Sequence, residues 1–298
     1  MPDPSDWMRA LPVTRLIATW APERPWTPPP AVPNTLRGAV GASVMDVACV
    51  RDSRECHGCP HAPSCPILGW YDPNRAGGNR LRPYVIRVLQ GAERATPDRP
   101  LIAEWILFGP TPHAHLLVEA LLRAGRVGLG PDRVQHDLIR LDVQGEGALT
   151  RVVDDGRAVG AMPRPGTLLQ HTRPPDAPTR ATLDLLTPVQ PPDRRLTPAG
   201  MLQLGAHRVR DVLRDLGGPP ARWWDLDVVV ARWEWQEPAR HSRWSERQEA
   251  TIDLSGLWGR LVVTDGVAGI ADLLAAMEVL HVGRNTSAGM GRVGVTWG

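Results

Sequence analysis

Lysine is absent from this chain of 298 residues, so all 34 basic side chains are arginine. No ammonium group can act as a Schiff-base former, a general base or a phosphate clamp. Cationic work falls to guanidinium, whose planar fork suits phosphate. A GC-rich coding sequence accounts for the bias, but the chemical consequence stands regardless. Aromatic bulk is equally one-sided, with one phenylalanine and two tyrosines against 12 tryptophans, so indole must fill most of the core. No apolar run approaches the ~20 residues of a membrane span. The first 20 residues lack both a basic start and an apolar signal segment, so a membrane location is not expected and a cytoplasmic one is. A net charge of +2 does not by itself indicate nucleic acid.

The length suggests roughly two domains, each with its own core. Residues 13–20 read as a strand, followed by a Pro-rich connection at 22–33 that cannot be helical. Asn34 or Thr35 caps the next helix, with Leu36, Val40, Val44 and Val47 on one face and Arg37 turned away from it. Strands at 84–90 and 101–108, a helix at 115–124 and a strand at 135–143 follow. The order strand, helix, strand, strand, helix, strand is that of a ferredoxin-like βαββαβ domain. After a hairpin at 151–160 and a Pro-rich stretch to 178, the order repeats. Strands at 181–189, 227–236, 249–254, 257–264 and 293–297 alternate with helices at 197–216 and 270–280, and Trp233 and Trp235 share one face of their strand. The expected class is α+β, with tandem ferredoxin-like domains at 1–150 and 179–298 joined by the hairpin and linker at 151–178.

Four cysteines, Cys49, Cys56, Cys59 and Cys65, are inserted in the first domain. In a reducing compartment such spacing reads as a structural zinc clip better than as disulfides, the other reading being four free thiols. His57 and His61 lie beside the cysteines, as alternative ligands or as loop histidines.

Residues 281–293 are crowded with Gly283, Gly289 and Gly291, the cations Arg284 and Arg292, and Asn285, Thr286 and Ser287, between a helix and the last strand. Glycine lets another backbone come close and leaves amides bare, which beside guanidinium suits a phosphate backbone. The loop begins where a helix ends, whereas a mononucleotide loop opens one. The plain alternative is a helix-capping turn.

The loop, with a glycine-apolar-glycine at 289–291, resembles that of the CRISPR precursor-RNA-processing endoribonucleases, members of the repeat-associated RNA-binding superfamily built from two ferredoxin-like domains. His281 stands where the family's first glycine would be. The segment at 36–39 with the cysteines after it, and the segment at 243–248 containing Arg243 and Arg247, also look like this family. The resemblance implies binding of CRISPR repeat RNA, contacts from Arg37, Arg243, Arg247 and the glycine-rich loop, and an association with other CRISPR subunits. It implies a catalytic histidine at or soon after the first helix, but no histidine occurs within 34–48. His57, His61 and Tyr71 are the nearest substitutes.

RNA can be cut without a catalytic metal when a base takes the 2′-hydroxyl proton, the oxygen attacks phosphorus and an acid protonates the leaving oxygen. Histidine suits both transfers and arginine stabilises the charge that develops. His281 beside Arg284, and His241 beside Arg243 and Arg247, supply that chemistry, with His281 the leading candidate. Two other readings stay open: a non-cleaving RNA-binding subunit of a CRISPR ribonucleoprotein, and a zinc-stabilised α+β protein unrelated to RNA.

Overall fold

A short helix, α1 (Asp6–Ala10), precedes the strand that pins the first half of the chain, β1 (Pro12–Pro22). The computed structural model describes residues 6–77, 80–110, 113–191, 196–220, 224–240, 242–245 and 250–298. It divides into two compact units, one of residues 12–167 and one in which the N-terminal 11 residues join 168–298.

In the first unit β1 is followed by α2 (Val32–Ala48), β2 (Tyr84–Gln90), β3 (Leu101–Phe108), α3 (Ala114–Val127), β4 (His136–Gln144), β5 (Thr150–Asp154), β6 (Arg157–Ala158) and β7 (Gly166–Thr167). The main strand order is β2-β3-β1-β4-β5-β6, and β7 pairs with β1. Alternation along β1 sends Leu16, Ala18 and Trp20 into the core, where they join Leu36, Val40 and Val44 of α2 and Leu117 and Leu121 of α3. Trp20 meets Trp105 edge to face at 5.6 Å. Glu104 is also wholly buried, its carboxylate held by Arg15 at 2.6 Å and Arg87 at 3.4 Å. Removing either arginine would leave a buried charge short of a partner.

The second unit contains α4 (Leu168–His171), β8 (Ala181–Leu185), α5 (Pro198–Asp215), β9 (Val230–Ala239), β10 (Ser242–Ser245), β11 (Ala250–Asp253), β12 (Gly256–Asp265), α6 (Ala271–Leu280) and β13 (Val293–Trp297). Its sheet runs β13-β8-β12-β9, with β10 and β11 as a separate hairpin. Relabelled by order of appearance, both sheets follow the same 4-1-3-2 path, so the two halves share one antiparallel α+β plan.

Several local expectations are corrected. Helix α2 starts at Val32, its N-cap is Ala31 at φ 60°, and no side chain caps it. Pro33 has the fixed φ that suits a first turn, so the helix opens inside the Pro-rich run expected to be non-helical and neither Asn34 nor Thr35 serves as its N-cap. Val47 is 37% exposed, while Met45 is buried. The hairpin expected at 151–160 is present, with β5 paired to β6 at the edge of the first sheet, while the stretch expected as a linker after it contains β7, which pairs with β1. Trp233 and Trp235 do not share a face. Trp233 lies opposite Leu261 and Trp235 opposite the adjacent Arg260, so an extra residue in β9 breaks the alternation. Trp233 donates to the Leu196 carbonyl at 2.9 Å, and Trp235 is left 44% exposed.

Helix α1 had no counterpart in the sequence reading. Its Trp7 donates to Asp272 Oδ2 at 3.1 Å, Trp224 donates to Oδ1 of the same carboxylate at 2.8 Å, and the indoles meet edge to face at 5.9 Å. The N-terminal helix is thereby fastened to α6.

Candidate nucleic-acid interface

Helix α6 is apolar and ends at Leu280, whose carbonyl accepts a 3.1 Å hydrogen bond from Arg208 Nε on α5. Arg208 is 8% exposed, and burial pushes its guanidinium down to about 10, so it remains charged at neutral pH. A cation at this place also meets the negative end of the α6 dipole.

His281 comes next, at φ 58° and ψ 169°. That region is almost confined to glycine and costs another residue about 1–3 kcal/mol. The ring is wholly buried, and its Nδ1 lies 3.1 Å from the Met290 carbonyl, which can only accept, so Nδ1 carries a proton. Val282 N–H donates to the Gly291 carbonyl at 2.9 Å. Gly291 is at φ 70°, and a Cβ there would lie 1.8 Å from the Val282 oxygen, so only glycine fits.

The segment between β8 and α5 supports the loop from beneath. Thr187 Oγ1 donates to the Gly289 carbonyl and accepts from Arg292 N–H, both at 2.8 Å, while Gly291 N–H donates to the Pro188 carbonyl at 2.9 Å. Gln190 accepts through its backbone oxygen from Arg284 N–H at 3.3 Å and through Oε1 from Asn285 Nδ2 at 2.8 Å. A Cβ on Gly283 would lie 2.8 Å from that backbone oxygen.

Of the loop residues singled out in the sequence, Arg284 and Asn285 are exposed. Arg292 and Gly283 are half-buried, and Thr286, Ser287, Gly289 and Gly291 are buried. The loop thus offers a cation and an amide on a backbone fixed from below.

In the first unit, Tyr71 stacks on Tyr84 at 5.1 Å and donates to the Arg37 carbonyl at 3.4 Å. Tyr71 closes a π-helical turn, Ile67–Tyr71, a rare geometry that turns its ring toward α2. Burial pushes the phenols of Tyr71 and Tyr84 up, that of Tyr71 well up, so both stay protonated near neutrality. Tyr71 is a hydrogen-bond donor there. Burial opposes the Arg37 charge, but Tyr84, Tyr71 and Asp72 outweigh it and its pKa is raised. Arg37 is half-buried, not turned wholly to solvent as its position on the helix suggested. Arg82 holds Asp72 at 2.8 Å beside this cluster.

The expected zinc clip is not supported. Among the described residues no group of three or more His, Cys, Asp or Glu side chains is gathered as a metal site, and all four cysteines are free thiols. Cys49 caps the end of α2 and Cys65 ends a short turn, while Cys49, Cys56 and Cys65 pack against the core. Their half-apolar surroundings occupy the thiols in packing. His57 and His61 are exposed in the same segment. His241 and Arg247 lie outside the described residues, and Arg243 belongs to β10, opposite Ile252 of β11.

Sequence reasoning missed Arg208, Thr187 and Gln190. In the sequence Arg208 is one of three arginines, with Arg210 and Arg214, spaced along the later part of α5, and nothing local marks Thr187 or Gln190, whose partners lie about 95–105 residues away.

Two family models match the chain. One, described as an N-terminal domain, covers residues 11–165, and the other, described as CRISPR-associated endoribonuclease Cas6, covers 178–293. Solved structures share the fold at low identity. A Cas6 product complex has 15% identity and a TM-score of 0.54 over 96% of this chain and 99% of that one. Cas6 from Thermus thermophilus has 13% identity and a TM-score of 0.51 over 96% and 99%. A partial Cas6–RT–Cas1–Cas2 complex has 12% identity and a TM-score of 0.54 over 97% of this chain and 46% of that one. No curated protein matches the sequence.

Proposed function

We propose that this chain, whose residues 178–293 match the model of the CRISPR-associated endoribonuclease Cas6, binds CRISPR repeat RNA and cuts it without a catalytic metal to give mature guide RNA. The observation that carries this reading beyond the family match is the glycine-rich loop, which raises exposed Arg284 and Asn285 on a backbone too constrained to collapse. A guanidinium held in this way meets a phosphate with little ordering left to do.

In the proposed reaction a base removes the 2′-hydroxyl proton and that oxygen attacks the adjacent phosphorus. The new P–O2′ bond replaces the P–O5′ bond, and an acid protonates the departing 5′-oxygen. The products are a 2′,3′-cyclic phosphate and a 5′-hydroxyl end. His57 and His61, exposed in the segment that follows α2, are the proposed proton carriers, with Arg37 and Arg284 as candidate phosphate contacts. Partners in this reading are repeat RNA and, as in the Cas6–RT–Cas1–Cas2 complex that shares the fold, other CRISPR proteins.

A second reading, a non-cleaving RNA-binding subunit, is favoured by the burial of His281 and by the absence of histidine from α2. Single-turnover incubation with labelled repeat RNA separates the two. Cleavage that persists in EDTA, and stops when the scissile ribose is replaced by deoxyribose, supports the enzyme. Tight binding without any product supports the subunit. No preference for repeat RNA over random RNA would sink both.

A further inference from the structure

The junction between α6 and the glycine-rich loop carries more restraint than a connection requires. Arg208, on another helix and nearly buried, holds the last carbonyl of α6. One residue later, His281 takes a backbone conformation suited to glycine while its buried ring reaches across the loop to the Met290 carbonyl. The backbone bond between Val282 and Gly291 lies beside it, so the two strands of the loop are fastened twice at the neck. Arg284 and Asn285, the exposed members, lie just beyond that neck.

A glycine in place of His281 would relax the backbone and lose the ring. A strained conformation persists only where its surroundings over-determine it. The surroundings here are the Nδ1–H bond at one end and the Arg208 bond at the other. A ring with no exposed surface, whose Nδ1 proton is spent on a carbonyl, is poorly placed to exchange protons with an RNA ribose.

We propose that His281 and Arg208 are positioning residues, which clasp the neck of the glycine-rich loop so that Arg284 is held ready for RNA, and that His281 takes no part in proton transfer. The role rests on the RNA-binding reading above, but the clasp itself can be measured without RNA.

The full-length wild type is compared with His281→Gly, which suits the backbone, His281→Asn, which keeps an N–H donor near the place of Nδ1, and Arg208→Met, which keeps the aliphatic stem. Amide hydrogen exchange across 282–291 should be slow in the wild type. It should quicken in His281→Gly and Arg208→Met and recover largely in His281→Asn, with the melting temperature of His281→Gly not lowered. Repeat-RNA affinity should fall by about fivefold to tenfold in His281→Gly, the scale of one hydrogen bond, and be restored in His281→Asn. The loss should fall on affinity and not on the rate at saturating RNA.

Unchanged exchange in His281→Gly would overturn the clasp. A saturated rate reduced by about 10²-fold or more with affinity intact, and not rescued by His281→Asn, would make the ring a proton carrier and overturn the proposal too. Faster exchange in His281→Gly with affinity unchanged would sever the clasp from RNA binding. If the wild type shows no affinity for repeat RNA, the functional reading fails, and the exchange data alone then decide whether the neck is fastened as described.

Discussion

His281 and Met290 are nine residues apart and joined by a 3.1 Å hydrogen bond from a wholly buried imidazole to a backbone carbonyl. The bond closes the neck of the loop that offers Arg284. In the clasp proposed above, it also makes the histidine that sequence proximity favours as a catalyst part of the scaffold.

Replacing Arg284 with alanine should weaken binding of repeat RNA and reduce its dependence on salt. One phosphate contact on a single strand corresponds to a slope of about 0.7 in log–log form, which titrations at several salt concentrations can resolve. An unchanged slope would make the exposed arginine a bystander.

Gly291→Ala should destabilise the second unit far more than Gly217→Ala. Both glycines have positive φ, 70° and 66°, so each substitution costs roughly 1–2 kcal/mol of backbone strain. A Cβ at 217 meets nothing within 4 Å, whereas at 291 it would overlap the Val282 carbonyl. Thermal melts of the two variants should differ accordingly, and equal melting points would refute the close approach.

Asp272→Asn should release α1. The carboxylate accepts from Trp7, Trp224 and the Leu273 amide, and an amide side chain presents one oxygen where two are used. One indole N–H would face a donor, a loss of about 1–3 kcal/mol for a buried group left unsatisfied. Limited proteolysis near the N-terminus and tryptophan fluorescence should both report the change.

Stability of the first unit should fall with acid through His136. Its ring is buried against Trp26, with Nδ1 2.7 Å from the Val134 carbonyl, and burial holds its pKa below the ordinary value. Below about pH 6.5 the unfolded chain therefore binds a proton that the folded chain resists, and stability is lost as pH falls toward the folded pKa. Denaturant titrations from pH 7.5 to 5 should show this slope, and His136→Gln should flatten it.

The periodicities legible in the sequence are those set by local chemistry. Strand alternation in β1, the apolar stripe at Leu36, Val40 and Val44, and the repeated order of strands and helices follow from which face of an element must leave water. The glycine-rich loop was legible for the same reason, since glycine marks places where backbone must pass close or turn to positive φ.

Only the tertiary structure decided what those local features are for. Four cysteines in a short stretch have metal spacing, yet three of them pack against the core and the group is not gathered. Trp233 and Trp235 alternate correctly, but a one-residue irregularity against β12 sends them to different surroundings. The N-terminal helix joins the C-terminal unit because one buried carboxylate accepts two indoles 217 residues apart, Trp7 and Trp224. His281 was visible as a titratable ring beside an arginine, while its burial, its strained φ and its partners Met290 and Arg208 follow from packing that composition and spacing do not encode. A side chain's type fixes the chemistry it can perform, and its desolvation and long-range partners fix which part of that chemistry the folded protein keeps.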